Sequence, residues 1–318
     1  MGPVLFIGIG WSLYNDVRYH PDLPGSLKMM QETFVGSGAL KFWIAVCLMP
    51  LNWGLEAMKW KLLVQRLQPI TFFKSLESVL SALSLGVYTP NRIGEFGGRV
   101  LLLQPENRVQ GFFLSVLSSW AQVLVTLFFG GIALFILDDQ IQQFLQSNSQ
   151  GVYSFPALFK YLIAGFVLVT GLFYFNVRWW SRFFKWLPFL KTKKTGVFVP
   201  SHMQQTALWK LLLLSLLRFL VFAFQTILIW QALQIQMEWI DAFGCIALVY
   251  LFMAIIPSIA IAELGIRGKV TIAVASLFTT QIIALLAGTL LIWMLNLVFP
   301  ALIGSLFLLT IRIFKDNP

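Results

Sequence analysis

The chain has 318 residues, 58% of them hydrophobic and only 11% charged, with a mean hydropathy of +0.80 and a formal net charge of +10. Soluble domains carry roughly 25% charged residues, so this composition belongs in a bilayer and excludes an ordinary soluble enzyme. The basic residues sit in loops flanking apolar runs, the usual pattern of a membrane protein, and nucleic acid is not an expected partner.

In chain order the apolar runs fall at 3–14, 39–58, 72–88, 111–137, 157–177, 208–233, 241–257 and 270–311. A chain of this length has room for roughly 6 to 9 spans. The first run rises only about 18 Å against a hydrocarbon core of about 30 Å, so it is a partial helix or the end of a segment starting upstream. It lacks a basic leader and a small-residue cleavage site, and no signal peptide is expected.

In the second run, "LNWGLEAMKWKLL" puts Asn52 and Glu56 four residues apart, with Lys59 one turn on. Trp53, Trp60, Lys59 and Lys61 read as a cytoplasmic interfacial belt, and the role of Glu56 stays open. The third run leads into "YTPNRIGEFGGR", where Pro90 stops the incoming helix and Gly94, Gly97 and Gly98 permit close or unusual backbone. The loop "VRWWSRFFKWLPFLKTKK" is basic and aromatic, and its stretch 178–194 is expected to lie on anionic lipid headgroups. In the run 208–233, Arg218 and Gln225 are seven apart on one helix face. Arg218 lies about a third of the way in, so snorkelling to the interface competes with lining a cavity. The run 241–257 ends at Pro257, and "IAELGIR" follows with Gly265 and then Gly268. Cys47 and Cys245 lie in apolar runs and read as small core residues. His20 and His202 fall in loops and suggest no catalytic dyad, and neither a metal site nor a cofactor is expected.

Orientation follows from lysine and arginine in the loops. The stretches 59–74 and 178–210 and the tail with Arg312 and Lys315 are basic, whereas 138–156 carries Asp138 and Asp139 and no basic residue. Basic segments and both termini are therefore expected inside, acidic loops outside. For 111–137 to reach the outer Asp138, the segment 72–110 must enter and leave on the inside. Likewise 241–280 must enter and leave on the outside. Their return arms are short, which favours re-entrant hairpins over full pairs of spans. The expected fold is an all-α polytopic membrane protein with an inverted-topology repeat, about 6 spanning helices and two re-entrant or spanning hairpins. Its first half is 1–138 with the hairpin 72–110, and its second is 139–318 with the hairpin 241–280, in a single integral-membrane domain.

The two hairpins carry matching phrases, "IGEFGGR" at 93–99 and "IAELGIR" at 261–267. If a helix starts near each glutamate, Glu95 and Arg99 share one face, as do Glu263 and Arg267. One reading is a pair of self-neutralising staples that hold the hairpins shut. The other is a single site where the turns meet, with Arg99 and Arg267 gripping a phosphate, assisted by Arg92, Asn91 and Lys269. Glu95 or Glu263 is then a candidate proton carrier, since a carboxyl removed from water holds its proton more readily.

Together "YTPNRIGEFGGR", "NWGLEAMKWKLL", the helix with Arg218 and Gln225, and "IPSIAIAELGIR" resemble the flippase-like, lysylphosphatidylglycerol-synthase transmembrane-region family, over roughly residues 40 to 311. The second motif departs from the glycine-rich "GlGvrE" type more usual there. In members that aminoacylate phosphatidylglycerol, this region is coupled to a cytosolic transferase and moves the product lipid between leaflets. Here no transferase is expected after the last apolar run, so the resemblance implies translocation. It carries over Pro90, Arg92, Gly94, Glu95 and Arg99, with Glu263 and Arg267.

The leading expectation is a lipid translocase of a bacterial inner membrane, binding through Arg92, Glu95, Arg99, Arg218, Gln225, Glu263 and Arg267. The alternatives are an intramembrane lipid-phosphate enzyme and a non-catalytic accessory protein of an envelope-lipid pathway. A homo-oligomer stays open.

Overall fold

The computed structural model describes residues 33–87, 89, 92–148, 155–176, 204–256 and 260–310. The run 3–14, His20, Pro90, Asn91, the basic loop 178–194, His202, Pro257, Arg312 and Lys315 lie outside the described residues.

Among the described residues the protein is all-helical. Helix α1 (Ala39–Val64) is followed by α2 (Phe72–Val87), the short α3 (Ile93–Val100) and α4 (Arg108–Ile136). Then come α5 (Asp138–Asn148), α6 (Phe155–Phe175), α7 (Gln205–Ala232), α8 (Trp239–Ile255) and α9 (Ala260–Ala275). The last run is α10 (Ile282–Trp293), a π-helical turn (Met294–Val298) and α11 (Phe299–Thr310). Among the described residues four helices are long and apolar enough to cross a membrane: Pro105–Ile136, Leu158–Phe175, Gln205–Ala232 and Ile282–Leu308. The eight residues of α3 rise about 12 Å, well under half of a core of about 30 Å.

Helix α1 lies along α7, α2 packs on α3 and α11, and α4 packs on α8. Apolar side chains gather in two clusters, one around Ile227, Ala247 and Leu251, the other around Trp60, Leu63, Leu83 and Leu117. Helix α6 packs chiefly on α4 and leaves Leu162, Phe166 and Val169 exposed, as suits a helix facing lipid tails. Between helices in lipid there is little hydrophobic gain, so close van der Waals packing over small residues does more of the holding. A Cβ on Gly130 of α4 would stand 2.5 Å from Leu251 Cβ of α8. One on Gly304 of α11 would stand 1.9 Å from the carbonyl oxygen of Leu80 on α2. Beside that second contact, Ser84 Oγ donates to the Ala301 carbonyl at 2.5 Å.

Several expectations need correction. Helix α1 continues past 58 to Val64, so Lys59 is not in a loop; with Trp53 and Trp60 it is buried instead of forming an interfacial belt. Residues 138–148 form a helix where an acidic loop was expected; no glycine or proline interrupts them, and Asp138 and Asp139 occupy the first turn, where the helix dipole favours negative charge. Cys47 is exposed on the outer surface, while Cys245 is buried as expected. The glycines of "IGEFGGR" lie within a helix, and two of them serve contact with α2. A Cβ on Gly98 would meet Ala82 Cα at 2.5 Å, and one on Gly94 would meet the Leu85 carbonyl oxygen at 2.6 Å, whereas Gly97 faces open space.

This gives an internally controlled prediction. Gly98→Ala is expected to lower stability by about 1–3 kcal/mol through overpacking. Gly97→Ala should be neutral or raise it by up to about 1 kcal/mol through helix propensity. Thermal unfolding in detergent measures both, and equal effects would contradict the packing.

Candidate functional site

The middles of four helices point inward with polar side chains. Asn52, Gln122, Arg218 and Asn296 each lie within one residue of the midpoint of α1, α4, α7 and the run Ile282–Thr310 respectively. Polar groups placed there are costly in a bilayer unless they serve one another or a cavity. These four line one cavity of about 170 Å³, together with Arg92, Tyr250 and Arg267. That far exceeds the ~10–15 Å³ one water needs. Arg218 is therefore central in its helix, where a third-of-the-way position was expected, because α7 begins at Gln205.

Beside the cavity runs a continuous ion network. Glu56 of α1 is its hub: Lys59 Nζ stands 3.1 Å from one carboxylate oxygen, Arg218 Nη1 3.1 Å from the same oxygen, and Arg99 Nη1 2.8 Å from the other. Arg218 Nε also donates to Asn52 Oδ1 at 2.8 Å. Arg99 continues to Glu95 at 3.8 Å, so the two do share a face of α3, but Glu56 holds Arg99 more closely. Arg92 stands 3.8 Å from Glu95 and donates across to Glu263 Oε2 at 2.8 Å, linking the start of α3 to α9. Arg267 donates to the other Glu263 oxygen and, at 3.0 Å, to the Tyr250 hydroxyl. The residue just before the first phrase, Arg92, therefore meets the second phrase at Glu263.

The local backbone explains why Arg92 can reach. Helix α3 starts at Ile93 and α9 at Ala260, which puts Glu95 and Glu263 in first turns. Thr89 Oγ1 accepts the Gly94 N–H at 2.8 Å and anchors the start of α3. Arg92 precedes that helix with φ of 55°, left-handed backbone that costs a side-chain-bearing residue roughly 1–2 kcal/mol. Such strain is retained where the surroundings impose it.

Among the described residues the network holds five cations, Lys59, Arg92, Arg99, Arg218 and Arg267, against three carboxylates, Glu56, Glu95 and Glu263, a formal surplus of two positive charges. Arg92, Arg218 and Arg267 line the cavity; Arg99, at 4% exposure, does not. Arg99 instead lies over Trp60, 6.0 Å from its ring, as Arg218 lies over Trp53 at 5.3 Å. Gln225 is fully buried and outside the cavity wall; it donates to the Ala45 carbonyl at 2.8 Å and accepts from Asn296 Nδ2 at 2.8 Å. Asn296 sits in the π-helical turn, a distortion often found at functional positions. Lys269 does not line the cavity.

Around the wall, three donors, Trp53 Nε1, Trp293 Nε1 and Arg267 Nε, and one acceptor, Asn296 Oδ1, have no hydrogen-bond partner among the described residues. Unmatched buried donors beside surplus positive charge suit an anion with several oxygens. Among the described residues no cluster of histidine, cysteine, aspartate or glutamate side chains comes together to hold a metal ion. No family model matches the chain, and no curated protein matches it either.

The residues least legible in the sequence were Gln122, Tyr250 and Asn296, and the hub Glu56, whose role was left open. A signal for Gln122 and Asn296 was present: each is a lone amide near the centre of a long apolar run.

Proposed function

We propose that the protein is a lipid translocase, moving an anionic headgroup between leaflets through the cationic cavity while the acyl chains stay in the bilayer. The observation that carries this reading is the placement of Asn52, Gln122, Arg218 and Asn296 at mid-helix around one positively charged cavity. A transport site open in turn to both leaflets belongs at that depth. Surplus positive charge favours an anionic headgroup and disfavours a cationic, aminoacylated one.

An inverted-topology repeat accords with the packing. Exchange of α1 with α7, α2 with α8, α3 with α9, and α4 with α10–α11 carries the main contacts among these helices into one another, while α6, packed on α4, has no counterpart. The α2–α11 pair becomes α8–α4, the α2–α3 pair becomes α8–α9, and α1–α7 maps onto itself. Both α4 and the last run carry the same device: an amide facing the cavity, Gln122 or Asn296, and eight residues later a glycine in close helix contact, Gly130 or Gly304. The short α3 supports a re-entrant first hairpin. In an alternating-access cycle, the Arg92–Glu263 pair between α3 and α9 is a contact that would break and re-form. Glu95 suits a coupling proton better than Glu263: both its arginine contacts are 3.8 Å long, and its Oε1 has no hydrogen-bond partner among the described residues. The inner membrane of a bacterium, with basic loops inside, fits this reading, as does the resemblance of the motifs to the flippase-like family.

Protein reconstituted into vesicles with headgroup-labelled anionic lipids tests the proposal. Leaflet exchange is expected, slowed about 10- to 100-fold by Arg267→Gln, the scale of one or two charged hydrogen bonds. Absence of exchange for every anionic lipid, or an Arg267→Gln rate equal to wild type, would overturn it.

A further inference from the structure

We propose that the cavity selects a phosphate monoester, a dianionic headgroup, over a phosphodiester; this rests on the translocase reading above and narrows it. The charge count points there first. With all three carboxylates ionised, the five cations and three carboxylates of the network among the described residues are balanced by an occupant that carries two negative charges. Unbalanced charge held away from water is expensive, and a monoanionic diester would leave one positive charge uncompensated. A phosphate monoester, with a second pKa near 6, supplies close to two charges and three terminal oxygens at neutral pH.

The donors supply the second, independent line. A monoester's three terminal oxygens need many donors in a small space, and the wall offers guanidinium groups from three helical segments: Arg92 at the start of α3, Arg218 on α7 and Arg267 on α9. Trp53, 6% exposed, and Trp293 add ring N–H groups without partners among the described residues. Tyr250 spends its hydroxyl as an acceptor from Arg267, and so holds that guanidinium at the wall. The cavity, of about 170 Å³, admits a tetrahedral phosphate. Charge and donors together therefore prefer a terminal phosphate.

The tryptophans provide the readout. In zwitterionic detergent, intrinsic fluorescence is titrated with dioctanoyl phosphatidic acid, dioctanoyl phosphatidylglycerol and inorganic phosphate. The monoester lipid is expected to bind about tenfold more tightly than the diester at pH 8, the scale of one charge-assisted hydrogen bond. The gap should close at pH 5, where the monoester carries a single charge. Asn296→Asp, which adds a carboxylate at the wall and belongs to no ion pair, should weaken the monoester about tenfold and the diester less. A second variant, Trp293→Phe, removes one ring donor while keeping an aromatic ring at the wall and should weaken the monoester severalfold. Inorganic phosphate binding as tightly as the lipid would support the same chemistry with a soluble source. Equal, pH-independent binding of monoester and diester would overturn the selectivity while leaving anionic-lipid exchange in vesicles intact. Failure of both lipids to bind, alongside absent exchange, would overturn the translocase reading itself.

Discussion

Glu56→Gln is expected to be among the most destabilising single substitutions in the protein, at about 3–5 kcal/mol, the range for breaking a buried pair by removing one partner. One carboxylate, 2% exposed, compensates three cations within 3.1 Å: Lys59, Arg99 and Arg218. The amide keeps the shape and removes the charge, leaving Lys59 and Arg99 buried without a close anion. Glu95→Gln is the control: its contacts are long, and the loss should stay below about 1 kcal/mol. The comparison is made by thermal unfolding in detergent and by protein abundance in the membrane. If the two variants unfold together, Glu56 is not the hub. The double variant Glu56→Gln/Lys59→Met should recover part of the loss, because it removes a buried charge along with its partner.

Arg92→Gly is expected to separate function from stability. Arg92 is the most exposed member of the network, with about a third of its side chain accessible, so its ion pairs contribute less to stability than those of Arg99. Glycine also removes the cost of a left-handed residue at φ 55°. The two changes offset, and the melting behaviour should correspond to a change within about 1 kcal/mol. Leaflet exchange should nevertheless fall about 10- to 100-fold, because the variant loses both a cavity cation and the link to Glu263. Arg92→Lys should sit between the two, since a lysine keeps the charge without the planar fork. Wild-type exchange by a stable Arg92→Gly protein would remove Arg92 from the transport site.

Much of the helical framework can be read from local pattern. Apolar runs of 17 residues or more mark α1, α2, α4, α6, α7, α8 and the last run, though not α3, α5 or most of α9, and the i,i+4 spacing correctly pairs Glu95 with Arg99 and Glu263 with Arg267. Boundaries were less accessible. Lys59 and Trp60 look like the interfacial end of a helix, and only the packing of α1 against α7 shows that the helix continues with both side chains inside. Likewise 138–148 reads as an acidic loop from its polar composition, although Ile141, Phe144 and Leu145 recur at the i, i+3, i+4 spacing of a helix.

The sequence by itself determined that this is a helical membrane chain, where its charged phrases fall, and which face of a helix each glutamate shares with its arginine. Those are consequences of composition and of 3.6 residues per turn, and neither needs a neighbour. Only the tertiary structure decided which carboxylate each guanidinium chooses. A guanidinium reaches several candidates, and the winner depends on helices distant in the chain: Arg99 turns from Glu95 to Glu56, 3.8 Å against 2.8 Å, and Arg92 crosses 171 positions to Glu263. That choice leaves Arg99 buried as a strut and puts Arg92, Arg218 and Arg267 on the cavity wall.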